Sequence, residues 1–264
     1  MSKLILILGV LDKSTHNNTA FRTGSELLPG HRACKIRTGT FVALGSLEML
    51  RIRLAQPETA RRKFASIFQP DCDCNDADMA AGRGYLAVIQ ELAAQGIRCT
   101  SYGADQAAVH GDLEMIRELQ KHGVSCTTQG ANWAAENGHL KVVRELRARG
   151  IHCTEWGANQ AAIHGHLHVV RDLRAHDVHC ALKAADVVAR NGHLEVVRDL
   201  RAHGIHCTSK GANWAAENGH LDVIQDLQQY GIHCTSDGAN KAAEQGHLGV
   251  VRDLREHGIH RMPK

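Results

Sequence analysis

The sequence is poor in aromatic residues and in proline. Phe, Trp and Tyr make up only 4% of the 264 residues, so a core must be built mainly from Ala, Leu, Val, Ile and Cys, which suits small, closely packed helices. Only 4 prolines stand beside 25 glycines, and 43% of the residues are hydrophobic. This composition excludes a collagen-like, low-complexity or wholly disordered chain and predicts a folded protein.

The sequence also lacks a long apolar run. The longest, Leu4 to Leu11, is about half as long as a membrane-spanning helix requires. Asp12 and Lys13 follow it directly, and no small-residue cleavage site for secretion is evident. We therefore expect no transmembrane segment and no membrane partner, and interpret the run as a buried strand or a capping segment.

Cysteine is too sparse for a disulfide-stabilised scaffold. The 9 cysteines are an odd number, so at least one thiol is unpaired. This usage indicates a reducing compartment, and we predict a cytoplasmic location, or the host cytosol if the protein is a secreted effector.

What the sequence does contain is a repeat. From Asp76 to Lys264 the chain divides into seven units of 27 residues with none left over. The third unit reads GANWAAENGHLKVVRELRARGIHCTEW and the sixth reads GANWAAENGHLDVIQDLQQYGIHCTSD. Two units this similar at the same register establish the period.

Each unit predicts two helices separated by a glycine. Small residues recur at i, i+3, i+4 and i+7 over 131–138, which is the spacing of one helix face, and this helix is called helix A. An apolar stripe over 140–146 predicts a second helix, called helix B. Thr127 stands where an N-cap residue is expected, and Gly150 where a left-handed C-cap residue is expected.

A single helix pair of this size cannot bury its own apolar face, whereas stacked pairs bury a continuous core. The sequence therefore predicts an all-α fold, an α-solenoid of seven 27-residue helix-turn-helix repeats over residues 76–264. Residues 46–75, with predicted helices at 46–56 and 58–68, are interpreted as a degenerate N-terminal capping repeat. Residues 1–45 form an N-terminal segment of unknown fold.

The pattern AAxxGHLxVVRxLRxxGI resembles the helical part of ankyrin repeats over residues 76–264. Two departures are visible, because the period is 27 instead of about 33 and the T-P-L-H signature is absent. The missing residues fall where ankyrin repeats form their projecting β-turn. The resemblance thus implies a shortened, finger-less ankyrin-like array, in which the histidine of each Gly-His step has a structural role at the corner between the helices.

Cysteine and histidine recur in register, and neither set predicts a metal site. Cys126 and Cys153 exemplify a cysteine ladder whose members lie one repeat apart, about 8–10 Å, which is too far to share one ion. We interpret these cysteines as small buried residues. The denser His164, His166 and His168 straddle a helix break, although a metal-binding His/Cys repeat protein stays as an alternative.

No catalytic constellation is recognisable. The sequence contains no P-loop, dinucleotide-binding fingerprint, HExxH or GxSxG motif, and no nucleophile, base and orienting group fall together. The sequence therefore predicts no catalytic residues, no cofactor and no enzyme activity.

Charge argues against a nucleic-acid partner for the array. Residues 76–264 hold 20 basic and 22 acidic residues, a balance of −2, whereas residues 1–75 hold 11 and 6, a balance of +5. Helix B alternates in sign, as at Arg171 and Asp172, which is typical of a solvated, salt-bridged face. Nucleic-acid binding through the basic N-terminal region is kept as an alternative function.

The residues that vary between repeats indicate where a partner binds. Positions four and seven of helix A lie opposite the Ala-Ala-Gly face on a helical wheel, so we expect them on the concave surface. The candidate binding residues at these positions are Gln106, Trp133, Glu136, Gln160, Ile163, Val187, Arg190, Trp214, Glu217 and Lys241. Tryptophan among mixed polar residues is typical of protein interfaces, although each Trp could instead pack on its neighbouring repeat. The leading interpretation is a monomeric, non-enzymatic scaffold or adaptor, or a secreted effector, that binds a protein partner.

Overall fold

The computed structural model describes residues 74–94 and 96–259, and this part of the chain holds fourteen helices and no strand. The helices A are α1 (Cys74–Gly82), α3 (Ser101–Val109), α5 (Thr128–Glu136), α7 (Glu155–Ile163), α9 (Ala184–Arg190), α11 (Ser209–Glu217) and α13 (Ser236–Glu244). The helices B are α2 (Leu86–Ala94), α4 (Leu113–Lys121), α6 (Leu140–Ala148), α8 (Leu167–Arg174), α10 (Leu194–Ala202), α12 (Leu221–Gln229) and α14 (Leu248–Glu256). The predicted all-α solenoid of seven helix pairs is confirmed over these residues.

The turn between the two helices of a unit depends on glycine. Gly138 has φ +77°, a left-handed conformation that other residues adopt only at a cost. A Cβ placed there would also lie 2.6 Å from Nδ1 of His166 in the next unit. The Gly-His step therefore joins two helices within one unit and packs one unit on the next.

The core is made of small residues on helices A and of branched residues on helices B. Ala134 and Ala135 of α5 are fully buried, and Val143 and Leu146 of α6 are at most 1% exposed. The same positions are buried in the neighbouring units, so one core runs through the described array. Residues of this kind form a core with few aromatic side chains, as the composition predicts.

Successive helices A approach each other more closely than successive helices B do. Alanine and glycine line the contacts between helices A, whereas valine, leucine and isoleucine separate helices B. The helices A therefore pack backbone to backbone, and the helices B are held apart by their larger side chains.

The junction between the fourth and fifth units departs from this regularity. Asp177 has φ +61°, and it is the one non-glycine residue with a left-handed backbone among the described residues. The following helix α9 has 7 residues instead of 9, and its N-cap residue Lys183 makes no capping hydrogen bond through its side chain. Helices α7 and α9 also approach each other less closely than the other pairs of successive helices A. This is the least regular junction of the described array.

Several predictions fall outside the described residues. These are the N-terminal segment 1–45 and the helices predicted at 46–56 and 58–68 of the capping repeat. Helix α1 begins at Cys74, two residues before the predicted start of the first unit. Within 74–94 and 96–259, no helix has the length and apolarity needed to cross a bilayer.

Candidate binding surface on helices A

The ten predicted binding residues lie on helices A, and none of them is buried. Arg190 is exposed, and the other nine are partly accessible. Position seven of one unit meets position four of the next, since Arg190 lies over the Trp214 ring and Lys241 Nζ lies 3.4 Å from a carboxylate oxygen of Glu217. These contacts join the two sets of positions in units five to seven, and the ten residues together are called the helix A row below.

Side chains at position eight support this row from its edge. The side-chain amides of Asn137 and Asn218 donate hydrogen bonds to the carbonyl oxygens of Trp133 and Trp214, at 2.9 and 2.8 Å. Asn191 donates to the carbonyl oxygen of Ile163 in the preceding unit, at 2.8 Å. The carbonyl oxygens of Trp133 and Trp214 also accept the backbone N–H of the same Asn, so the side-chain amides add a second hydrogen bond at each helix end.

Beneath the row, an acidic or amide residue at position three holds the start of the next helix A. The Thr127 N–H donates to Oδ1 of Asp105 at 2.7 Å, and the Thr127 hydroxyl donates to Oδ2 at 2.7 Å. Thr127 Oγ1 in turn accepts a hydrogen bond from the Gln129 N–H at 3.1 Å. The buried carboxylate therefore positions the N-cap residue that begins α5.

The N-cap depends on whether position three is Asp or Asn. In the next unit, Asn132 donates from its amide to Oγ1 of Thr154 at 3.1 Å, and Thr154 makes no capping hydrogen bond. Thr235, which receives the amide of Asn213, also lacks the capping bond, whereas Thr208 beside Asp186 makes it. An aspartate can only accept, so it leaves the threonine oxygen free to cap the helix.

Trp214 and Trp133 occupy the same helix A position in different electrostatic surroundings. Lys210 Nζ lies 4.5 Å from the ring centroid of Trp214, and the Arg190 guanidinium lies 5.8 Å from it. The positions that correspond to these cations beside Trp133 hold Gln129 and Val109. Two similar repeats thus present one tryptophan with cations and one without.

The first turn of each helix A carries exposed residues that the sequence analysis missed. Tyr102 and Trp156 are 55% and 44% exposed, and Leu182 before α9 is 72% exposed. Lys183 and Lys210 occupy the positions equivalent to Trp156 in the next two units and are also exposed. Variation at this repeat position would have indicated a second row, next to positions four and seven.

The helices B carry the predicted salt bridges, but their carboxylates are buried, which corrects the prediction that this face is solvated. The side chain of Asp172 is 6% exposed, and it accepts hydrogen bonds from Arg144 Nε at 2.7 Å and Arg147 Nη1 at 2.5 Å of the preceding unit. Asp199 is held in the same way by Arg171 and Arg174. The alternating charges therefore clamp neighbouring repeats together.

Burial raises the pKa of Asp172, Asp199 and Asp226, but the hydrogen bonds and charges of the paired arginines outweigh it. The pKa of each carboxyl consequently lies below its ordinary value. These aspartates stay ionised at neutral pH, and the arginines of helices B are compensated charges.

Five cysteines of the ladder, at 99, 126, 153, 207 and 234, are buried within the stack, as predicted, whereas Cys180 is only partly buried. Cys126 and Cys153 are 6% and 7% exposed, and their thiols donate to the carbonyl oxygens of Ala104 and Ala131 at 3.3 and 3.2 Å. Burial raises the pKa of both thiols to about 12. A thiol with this pKa is a poor nucleophile at neutral pH. Among the described residues, no three His, Cys, Asp or Glu side chains converge on one point.

The histidines of the Gly-His steps pack between repeats. His139 Nε2 lies 2.9 Å from the carbonyl oxygen of Val109 in the preceding unit. Burial lowers the pKa of His166 and His193, and neighbouring histidines lower it further. The structure thus places these rings at the corners between helices A and B, where they join repeats.

Comparisons with known proteins bear on the fold. No protein-family model and no curated protein matches the sequence. Among solved structures, the pentatricopeptide repeat protein PPR10 from maize has 14% sequence identity and a TM-score of 0.38, covering 86% of this chain and 40% of that protein. PPR10 in complex with an 18-nt psaJ RNA element, and a variant of that complex, have 11% identity and TM-scores of 0.35, covering 85% of this chain and 44% of that protein. The chain thus spans less than half the length of these helical repeat proteins.

The prediction that argued against a nucleic-acid partner is wrong. Two of these three helical repeat structures contain RNA, which is the finding against that prediction. The prediction rested on a charge summed over residues 76–264, and such a sum hides local patches. Lys210 and Arg190 at Trp214 form such a patch, while many other charges of the array are paired within the ladder on helices B.

Proposed function

We propose that this chain is a non-enzymatic binding scaffold, a shortened ankyrin-type array that holds a segment of a protein partner along the helix A row. The carrying observation is that this row is accessible and rich in side chains that interfaces use. Trp133 and Trp214 are partly accessible there, among residues of both charge signs and of mixed polarity. Surfaces with this residue usage bind proteins through a few dominant side chains.

The length of the row fits such a partner. Trp133 and Trp214 lie three repeats apart, which corresponds to roughly 24–30 Å at about 8–10 Å per stacked helix pair. A standard interface buries about 800 Å² on each partner, and a patch of that size includes both side chains. The central units three to six therefore form the proposed contact.

We also propose a cytoplasmic location. Four buried cysteines, at 126, 153, 207 and 234, are free thiols in the described array. Free thiols of this number persist in a reducing compartment. Fractionation of cells that express the full chain tests this proposal, and recovery in an oxidising compartment would overturn it.

Capture by the full chain and two variants tests the binding proposal. Trp133→Ala and Trp214→Ala should each weaken the free energy of binding to the partner by about 2 kcal/mol, because each Trp contributes to the proposed interface. Helicity should stay nearly intact, because neither Trp is fully buried. Lys141→Ala, at an exposed position of helix B, is the matched control. A lower melting temperature with unchanged affinity of the folded protein would show that the tryptophans only pack.

Single-stranded nucleic acid is the second candidate ligand of the same row. An aromatic ring beside unpaired cations is the combination that binds such strands, and Trp214 with Lys210 and Arg190 provides it. Treating the captured material with nuclease separates the two candidates. Capture that survives nuclease but requires the tryptophans supports a protein partner, whereas capture that nuclease abolishes supports the nucleic acid.

A further inference from the structure

Trp214 lies in a basic patch that the equivalent Trp133 lacks. The patch consists of four residues: Lys183 at the start of α9, Arg190 at the end of α9, Lys210 in the first turn of α11 and Trp214 in the middle of α11. Lys210 and Arg190 both lie over the indole ring, at 4.5 and 5.8 Å from its centroid. Lys183 occupies the position equivalent to Lys210 one unit earlier and is exposed.

The cations of this patch are not compensated. Among the described residues, no carboxylate lies within ion-pair distance of Lys183, Arg190 or Lys210. In the next unit, by contrast, Lys241 Nζ lies 3.4 Å from Glu217 and 3.6 Å from Asp237. Three uncompensated cations within two adjacent repeats leave a local positive potential on an otherwise mixed surface.

The two tryptophan units provide an internal comparison. Eighty-one residues earlier, the positions of Lys183, Arg190 and Lys210 hold Tyr102, Val109 and Gln129. The repeat framework is the same around both tryptophans, including the Asn side chain that donates to the Trp carbonyl. The charges therefore distinguish one end of the helix A row from the other, and framework requirements do not account for them.

We infer that the basic patch binds an acidic segment of the protein partner, with carboxylates against Lys183, Arg190 and Lys210 and apolar groups against Trp214. This inference rests on the proposed function and specifies the partner's chemistry at one end of the row. It also gives the bound segment a direction, because the neutral surroundings of Trp133 offer no equivalent charge contact. Complementary charge of this kind sets orientation and speeds encounter.

An acidic peptide fits the patch better than a nucleic-acid strand does. The space over the Trp214 ring is shared with two cations, so a base would have to displace them to stack. A strand that continued along the row would also bring its phosphates to Glu217, which adjoins the patch at position seven, and to Glu136, two units before Arg190. A short acidic segment needs only the three cations and the accessible part of the Trp214 side chain.

The test measures binding of a fluorescent peptide of alternating Glu and Leu by anisotropy, with single-stranded oligo(U) of similar charge as the second probe. The full chain is compared with Arg190→Val/Lys210→Gln, which gives Trp214 the surroundings of Trp133. Val109→Arg/Gln129→Lys makes the reverse change at Trp133. Lys141→Gln is the charge control, and circular dichroism checks the helicity of each variant.

We expect the peptide to bind the full chain with an affinity that falls as salt rises. Arg190→Val/Lys210→Gln should weaken binding by about five-fold, and Val109→Arg/Gln129→Lys should strengthen it by a similar factor, since each exposed charge contact is modest. Lys141→Gln should have no comparable effect.

Equal peptide binding by the full chain and Arg190→Val/Lys210→Gln would overturn the inference, as would an equal loss in Lys141→Gln. Binding of oligo(U) in preference to the peptide, lost in the same double variant, would assign the patch to nucleic acid instead. In each case partner capture that depends on Trp133 would still support the proposed function, so the two failures are distinguishable.

Discussion

Replacing Asp177 by glycine should stabilise the least regular junction of the array. Asp177 ends the segment after α8 in a left-handed conformation, with φ +61°. The equivalent residues Gly150 and Gly204 have φ +81°, and a Cβ at either position would have open space around it. Glycine at position 177 should therefore remove the free-energy cost of a left-handed backbone that carries a side chain.

The magnitude follows from the backbone. A left-handed residue with a side chain costs about 1–2 kcal/mol. Glycine loses more chain entropy on folding than aspartate does, and this loss offsets roughly 0.5 kcal/mol or more of the stabilisation gained by relieving that cost. The net stabilisation expected for Asp177→Gly is about 1 kcal/mol, or roughly a five-fold change in a local opening equilibrium.

Native-state hydrogen exchange measures this opening directly. The Val178 N–H donates to the carbonyl oxygen of Leu173 at 3.1 Å, so its exchange reports the end of α8. In Asp177→Gly it should exchange about five-fold more slowly, and the amides of α9 should gain protection with it. In the unchanged chain, α9 should open before α5 and α11.

Two further variants make the measurement decisive. Asp177→Asn removes the negative charge near a helix C-terminus but keeps a side chain in the left-handed region, so it separates charge from backbone conformation. Gly204→Asp makes the reverse change and should speed exchange of the Ile205 N–H by a similar factor. Unchanged exchange in Asp177→Gly, or an equal gain in Asp177→Asn, would refute the backbone argument.

Three other predictions concern the contacts between repeats. Asn132→Asp should free the hydroxyl oxygen of Thr154 to cap α7 and raise the opening free energy of α7, measured by hydrogen exchange, by up to about 1 kcal/mol. An unchanged opening free energy would contradict the proposed difference between Asp and Asn. Asp199→Asn should lower the free energy of unfolding in urea by about 2 kcal/mol, because it breaks a buried ion pair and leaves Arg171 and Arg174 without their carboxylate. A loss below about 0.5 kcal/mol, roughly that of an exposed pair, would show that solvent screens this ion pair. His166 and His193 have lowered pKa values in the folded chain, so the unfolded chain binds more protons as the pH falls below about 6.5. Stability should therefore be full above that pH and decline below it, and replacing both histidines by Gln should flatten the melting temperature between pH 7.5 and pH 5.

The helical architecture of the described array was predictable from the sequence. A strict period of 27 residues, alanines at helical spacing and Thr and Gly at the helix ends are local signals, and each acts within a few residues of the chain. The irregular junction before the fifth unit was predictable for the same reason, because Asp177 replaces a C-cap glycine. The burial of Cys126 followed from its register with other small residues.

The contacts that join one segment to another were decided by the tertiary structure. Asp105 holds Thr127 across 22 residues of chain, and Asp172 accepts from Arg144 across 28 residues, so neither pairing follows from neighbouring sequence. Charge alternation on helix B indicated ion pairs, but burial of the carboxylate depends on the distance between stacked helices. Likewise, the sequence placed Trp133 and Trp214 at one repeat position, and only the packing of α9 against α11 brings Arg190 over the second ring. Local composition sets which helices form, whereas the spacing between repeats decides which side chains meet and which charges stay unpaired.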